Sequence, residues 1–202
     1  MLSQIRPAVV LLVLFTLLTG LAYPLAITAV AQIALSAKAN GSLVYVGGKP
    51  VGSDLIGQNF AADKYFHGRP SATQAQDPAH PDDPSKTIDA PYNAANSTGS
   101  NLGPTSQKLI DRVTADVKAK RDAGWTGAIP GDAVTTSASG LDPDISPANA
   151  LAQTPAVAKA RGLPEDKLRA LVEAHVEGRA LGLVGEPRVN VLALNLALDN
   201  LK

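Results

Sequence analysis

The stretch PAVVLLVLFTLLTGLAYPLAITAVAQIAL, from Pro7 to Leu35, decides the architecture of this chain. It lies in an uncharged run of 31 residues between Arg6 and Lys38. A helix rises about 1.5 Å per residue and the hydrocarbon core of a bilayer is about 30 Å thick, so roughly 20 apolar residues cross it. The run is longer than that, and it predicts a transmembrane anchor helix over residues 7–35. A cleaved secretory signal is the alternative. Its apolar region would be about 7–15 residues, ending at an A-x-A site that Ala29-Val30-Ala31 fits. The greater length favours a retained anchor. Pro24 is placed to bend it. Gly20, Ala22 and Ala26 form a strip of small residues where a second membrane helix can approach, and are interface candidates, although ordinary membrane composition produces such strips too.

Charge sets the expected orientation. Residues 1–6 carry the amine and Arg6, and basic residues beside a span favour the cytoplasmic side. Lys38 opposes this weakly. A cytoplasmic tail over 1–6 leaves 39–202 as an extracytoplasmic domain. That segment holds 16 basic and 18 acidic residues, with no cationic excess for an anionic leaflet.

The whole chain, 202 residues with zero formal net charge, has room for about one domain. Neutral charge and 4% aromatic residues argue against a nucleic-acid partner. The lack of cysteine excludes disulfides, thiolate metal sites and a cysteine nucleophile. Gly and Pro together number 32, so long loops are expected.

Beyond Asn40 the texture changes. The runs 41–46 and 49–56 flank Gly47-Gly48 and predict a β-hairpin. Residues 58–66 predict a short helix or turn that buries Phe60, Tyr65 and Phe66. Residues 67–105 read as one long specific loop. Ser106 is a candidate cap for a helix with Leu109, Ile110, Val113 and Val117 on its apolar face, running to about Asp122 and stopping at Gly124. Ser146-Pro147 predicts another helix to about Arg161, ended by Gly162 and split at Pro155. Leu163-Pro164 opens a third, with Leu168, Leu171, Val172 and His175 on one side. Arg188 to Leu194 alternates like a strand, after which Asn195 is placed to cap a terminal helix. The expected fold is one transmembrane helix plus a small α/β (α+β) soluble domain with long loops.

Chemistry-bearing motifs are sparse. Gly47-Gly48-Lys49-Pro50 is no phosphate cradle, because Pro50 lacks the needed N–H. His67 and His80 have no metal-ligand spacing, and His175 sits on a predicted apolar helix face. Asp82-Asp83 and Asp142-Pro143-Asp144 lack the alternating oxygen ligands of a calcium loop, and the latter pair precedes a helix N-terminus that favours negative charge. No metal site and no catalytic residue is expected. Arg69, Arg179 and Arg188 are candidates for charge-assisted interface contacts, with internal loop fixing as the alternative.

Several strings in order carry a family resemblance. They are Gly52-Ser53-Asp54-Leu55-Ile56-Gly57-Gln58-Asn59-Phe60, Tyr65-Phe66-His67-Gly68-Arg69-Pro70-Ser71-Ala72 and Ser100-Asn101-Leu102-Gly103-Pro104-Thr105. They continue with Ser139-Gly140-Leu141-Asp142-Pro143-Asp144-Ile145-Ser146-Pro147, Ala158-Lys159-Ala160-Arg161-Gly162-Leu163, Glu177-Gly178-Arg179 and Gly185-Glu186-Pro187-Arg188-Val189-Asn190-Val191-Leu192. In these the chain resembles KdpC, the C-subunit family of bacterial Kdp potassium-transporting P-type ATPases, almost end to end. Two departures add a Cβ where that family usually has glycine, at Ala138 and at Thr98.

The resemblance implies a non-catalytic accessory subunit of an ATP-driven, high-affinity potassium importer, single-pass in the bacterial inner membrane. The implied partners are a channel-like potassium-translocating subunit, an ATP-hydrolysing P-type subunit and membrane lipid. The implied role is assembly and stability, and guarding the ion entrance. An alternative is a catalytic chaperone that raises the ATP affinity of the hydrolysing subunit through a transient ternary complex, with Gln153 as the nucleotide-binding candidate. ATP is cytoplasmic, so a domain outside the cytoplasm acts on its affinity only through allosteric coupling. Potassium is the cargo, and ATP enters only through the complex. A third alternative is a secreted enzyme released by signal cleavage.

Overall fold

A computed structural model describes residues 2–201 of the chain. The N-terminal run is helical throughout, as α1 (Ile5–Leu17), a π-helical turn (Leu18–Ala22) and α2 (Tyr23–Ala34). Together they form one 30-residue helix, long and apolar enough to cross a membrane, with its most apolar stretch uncovered by the rest of the protein. The π-turn lies just ahead of Pro24. That proline has no N–H for the ladder and its ring crowds the preceding turn, so the wider turn is where the mismatch is absorbed. Thr19 Oγ1 donates to the Phe15 carbonyl at 2.6 Å in the same turn.

The chain divides into two compact units at Ser53/Asp54. In the first, α3 (Ser36–Ala39) follows the long helix, and a reciprocal carboxamide pair between Gln32 and Asn40 (3.2 and 3.1 Å) ties it down. The expected hairpin follows as β1 (Leu43–Val46) and β2 (Lys49–Ser53), antiparallel, with a bulge at Val44/Tyr45. Its two turn glycines have φ of +58° and +78°, the left-handed pair that a tight hairpin requires.

The second unit is α+β, with helices dominant and sheets minimal. Residues 58–66 form no regular element; Phe66 is fully buried, whereas Phe60 and Tyr65 are half-buried. The long loop contains a small antiparallel pair, β3 (Gln74–Gln76) with β4 (Thr87–Asp89), which the polar sequence does not announce. The next helix, α4 (Gln107–Asp122), has the predicted span, but Ser106 makes no side-chain cap bond and Ile110 is exposed. A two-residue strand β5 (Asp144–Ile145) leads into α5 (Pro147–Arg161). Here Ser146 does cap, its Oγ accepting from the Asn149 N–H, and Gly162 terminates at φ +65°. Pro155 does not split α5. It sits on the exposed side, where water can take the carbonyl it leaves unpaired. Helix α6 (Glu165–Ala174) buries Leu168 and Val172 as expected.

The C-terminal end departs most from expectation. Only Val189–Asn190 form a strand, β6, paired with β5. Helix α7 (Val191–Asp199) starts at once, and Asn190, not Asn195, is its cap, accepting from the Ala193 N–H at 3.0 Å. Val191, Leu192, Leu194 and Leu198 are all buried, so the helix is covered on most sides and its sequence loses the 3.6-residue alternation that marks a surface helix. The core comprises Phe66, Ile145, Ala150, Val157, Leu168, Val172, Val189, Leu194 and Leu198.

Asn195 lies inside this core, 1% exposed. Its Oδ1 accepts from the Phe66 N–H at 2.9 Å and its Nδ2 donates to the Phe66 carbonyl at 2.8 Å. Replacing it by Leu strands both backbone groups in an apolar interior. Asn195→Leu is expected to cost about 3 kcal/mol, on the scale of two buried groups left unpaired. Urea unfolding read by circular dichroism measures it, with Leu196→Ala on the same helix as the reference.

Candidate functional site

Segment 65–73, which contains the family-like string 65–72, has no ladder partner of its own. Its backbone groups are met by side chains. Beside the Asn195 clamp on Phe66, Gln153 of α5 clamps the next residue: its Oε1 accepts from the His67 N–H at 2.7 Å and its Nε2 donates to the His67 carbonyl at 3.0 Å. The second Nε2 hydrogen goes to Asn149 Oδ1 at 3.0 Å. Asn149 Nδ2 donates to Asp132 Oδ2 at 3.1 Å, and Asp132 also accepts from the Ser146 N–H (2.7 Å) and hydroxyl (2.9 Å). The Asp132 carboxylate therefore sits at the start of α5, where the helix dipole favours it. Gln153 is 7% exposed with both amide hydrogens engaged, so it has no donor left for a ligand in this arrangement.

Further along the segment, Arg69 Nη1 meets Asp142 Oδ2 at 3.0 Å, and Nη2 donates to the Thr136 carbonyl at 3.2 Å. Ser71 Oγ donates to the Gly140 carbonyl at 2.7 Å, and Thr73 Oγ1 donates to the Ala90 carbonyl at 2.6 Å. Tyr92 closes this corner: its hydroxyl donates to the Arg69 carbonyl at 2.8 Å. Burial, followed by the nearby Asp142 charge, pushes its phenol up to about 12. Gly140 has φ +66°, and a Cβ there would lie 2.6 Å from the Thr98 carbonyl oxygen. The two departures from the family pattern are harmless by contrast, because neither Thr98 nor Ala138 has positive φ.

The two other predicted arginines are also internally engaged. Arg188 bridges Asp144 (3.1 Å) and Glu177 (2.8 Å), and Arg179 pairs with Glu186 at 2.8 Å. Burial raises the Asp144 carboxyl pKa despite the attraction of Arg188. Gly20 and Ala22 lie in the π-turn and Ala26 in α2, all exposed. His80 Nδ1 lies 2.8 Å from Asp77 Oδ2 on the surface; that contact is the main cause of the lowered Asp77 pKa. His175 Nδ1 lies 2.8 Å from the Leu171 carbonyl oxygen. Among the described residues no group of three or more His, Asp or Glu could hold a metal ion.

A cleft of about 860 Å³ opens beside the clamp, lined by His67, Lys120, Trp125, Gln153, Lys159 and Arg169 among others. Lys120 Nζ lies 4.9 Å from the centre of the Trp125 ring, and burial lowers its pKa. Arg161 donates to the Lys64 carbonyl (2.7 Å) and to Asp199 (2.6 Å), with its guanidinium 4.9 Å over the ring of Tyr65, which lines the cleft. Asn149, Asp132 and Tyr92 carry much of this site without a motif to mark them, and Asn195, read from the sequence as a helix cap, serves instead as the clamp on Phe66. The one local signal was Asn195, a lone amide within the apolar run Val191–Leu198.

Residues 5–200 match the family described as "KdpC: K+-transporting ATPase, c chain". A curated protein of Rhodopseudomonas palustris (strain BisB18), named potassium-transporting ATPase KdpC subunit, is 63% identical over 202 residues and the full length of both chains. Proteins of the same name from Methylobacterium nodulans and Bradyrhizobium diazoefficiens are 64% and 61% identical, over 100% and 98% of this chain and 98% of each relative. Likeness of this extent leaves one assignment: the chain belongs to the KdpC family, the C chains of potassium-transporting ATPases.

Proposed function

We propose that this chain is an accessory subunit of a potassium-transporting ATPase, anchored by residues 7–35 in the bacterial inner membrane, with residues 1–6 in the cytoplasm and 39–202 outside it. It serves assembly and stability of the complex beside a channel-like subunit and an ATP-hydrolysing P-type subunit. The observation that carries this reading is how the family-like string 65–72 is held. The polar groups of string 65–72 are engaged internally, with Gln153 at His67 and with Asp142 of string 139–147 at Arg69, and build a fixed shape instead of an open set of reactive groups. Potassium is the cargo of the complex, and guarding the ion entrance fits a body of this kind held at the membrane.

A second reading has its own support. The cleft beside Gln153 carries Trp125, Lys120 and Lys159, an indole with cations suited to an anionic aromatic ligand such as ATP. Under that reading the subunit raises ATP affinity in a ternary complex. The orientation proposed above puts this cleft on the side of the membrane without ATP, and Gln153 has no free donor, so the structural role is preferred.

Four measurements test these statements. A tagged full chain, extracted in mild detergent from cells expressing the whole ATPase, is expected to recover two larger membrane subunits; recovery of the chain alone counts against the assembly role. Ser85 is exposed and the chain has no native cysteine, so Ser85→Cys should react with an impermeant maleimide in intact spheroplasts. Labelling only after lysis reverses the orientation. Gln153→Leu should lower stability by about 2–3 kcal/mol, since buried partners lose their bonds, whereas labelled ATP should show no saturable binding to the unmodified full chain. Saturable binding abolished by Gln153→Leu at unchanged stability would establish the nucleotide reading.

A further inference from the structure

Residues 177–188 form a hairpin that projects apolar side chains into solvent. Leu181 is 96% exposed, Leu183 81% and Val184 67%. The hairpin is well braced. Glu177 and Arg188 exchange backbone bonds of 2.8 and 3.0 Å, and Ala180 and Val184 exchange bonds of 2.8 and 3.0 Å. The Gly182 N–H reaches the Arg179 carbonyl at 3.0 Å. Two ion pairs cross the stem, Arg179–Glu186 and Arg188–Glu177. At the tip Leu181 has φ +53° and Gly182 +73°. Leucine is a costly choice for a left-handed position, where Asn or Gly would relieve the strain. The tip thus combines backbone strain with exposed apolar surface, and neither stabilises the isolated chain.

We infer that Leu181, Leu183 and Val184 form a preset apolar knob that docks into an apolar socket on another subunit of the same ATPase; the inference rests on the assembly role proposed above. Charge and size select this occupant. Lipid is disfavoured because residues 177–188 contain no Trp, Tyr or Lys, and both arginines are paired with glutamates, leaving no interfacial anchor or net cation. A second copy is disfavoured because three side chains cover far less than the ~800 Å² per partner of a standard stable interface. A knob this small serves as a hot-spot anchor when a second contact already holds the partners close, which a membrane helix in the same complex supplies. Arg188 also reaches Asp144 at the head of α5, so the knob is fixed to the clamped body of the unit.

The test uses the full chain co-expressed with the other ATPase subunits. The double variant Leu181→Asp/Leu183→Asp is expected to recover the larger subunits about tenfold less well, as for a lost hot spot. Its thermal midpoint should be unchanged, because both side chains face solvent. Leu183→Met should recover them normally. Leu183→Cys carrying a benzophenone maleimide should crosslink to a larger subunit, and this arm decides if the aspartates lower the midpoint. Undiminished recovery by the double variant, or crosslinks only to a second copy or to lipid, overturns the knob while leaving the assembly role standing. Failure of the unmodified chain to recover any larger subunit overturns both.

Discussion

The second unit depends on how the backbone of Phe66 and His67 is satisfied. These residues run past the core without a neighbouring strand, so four backbone polar groups, fully buried at Phe66 and partly buried at His67, need partners. A buried N–H or C=O left unpaired costs about 1–3 kcal/mol, which puts several kcal/mol at stake in a fold whose whole stability is of order 5–15 kcal/mol. Two carboxamides meet the need, Asn195 from α7 and Gln153 from α5, each imitating one rung of a ladder. A carboxamide suits this place because it carries donor and acceptor together and is uncharged, so burial requires no counter-ion.

That solution links elements far apart in sequence. The segment fixes α5 through Gln153, and α5 is fixed at its own start by Ser146 and by Asp132, which reaches in from a short turn. Arg69 then holds the loop around Thr136 and Asp142, and Tyr92 covers the Arg69 carbonyl. With little sheet to organise the chain, side-chain-to-backbone bonds perform the task that ladders perform in larger β structures. Tight glycines follow from the same economy of space, since at Gly140 the neighbouring backbone approaches too closely for any side chain.

Much of this was legible in the sequence and some was not, for identifiable reasons. The long apolar helix, the Gly47-Gly48 hairpin and the Ser146-Pro147 start are local signals, and the structure follows them. The sequence places a strand over 188–194 and a helix only beyond Asn195, whereas α7 already starts at Val191; Val191–Leu198 is apolar on nearly every side, so a helical period does not stand out in it. β3 and β4 escaped notice because Gln74-Ala75-Gln76 and Thr87-Ile88-Asp89 contain a single β-branched aliphatic residue between them, and their pairing is set by contacts thirteen residues apart such as Thr87 with Gln74. Gln153 stood out only through family likeness. Its pairing with His67 spans 86 residues, a separation that no local pattern encodes.

A body whose best-ordered polar groups are turned inward raises the question of how it engages anything. Under the proposed assembly role the polar hub contributes shape, and docking rests on what projects from it and on the proposed membrane tether. A helix in the membrane converts the meeting of two subunits from a bimolecular event into one governed by effective concentration, and a modest second contact then has a large effect. Such a contact must be rigid, because loss of rotamer and loop freedom on docking would consume most of the gain. The stem of residues 177–188 meets that condition through two cross-strand ion pairs and paired backbone groups, and its root at Asp144 joins the network that begins with the clamp on Phe66 and His67. Interior order and exterior recognition are in this sense one problem: an anchor placed on a loosely packed body would wander, and the buried carboxamides prevent that.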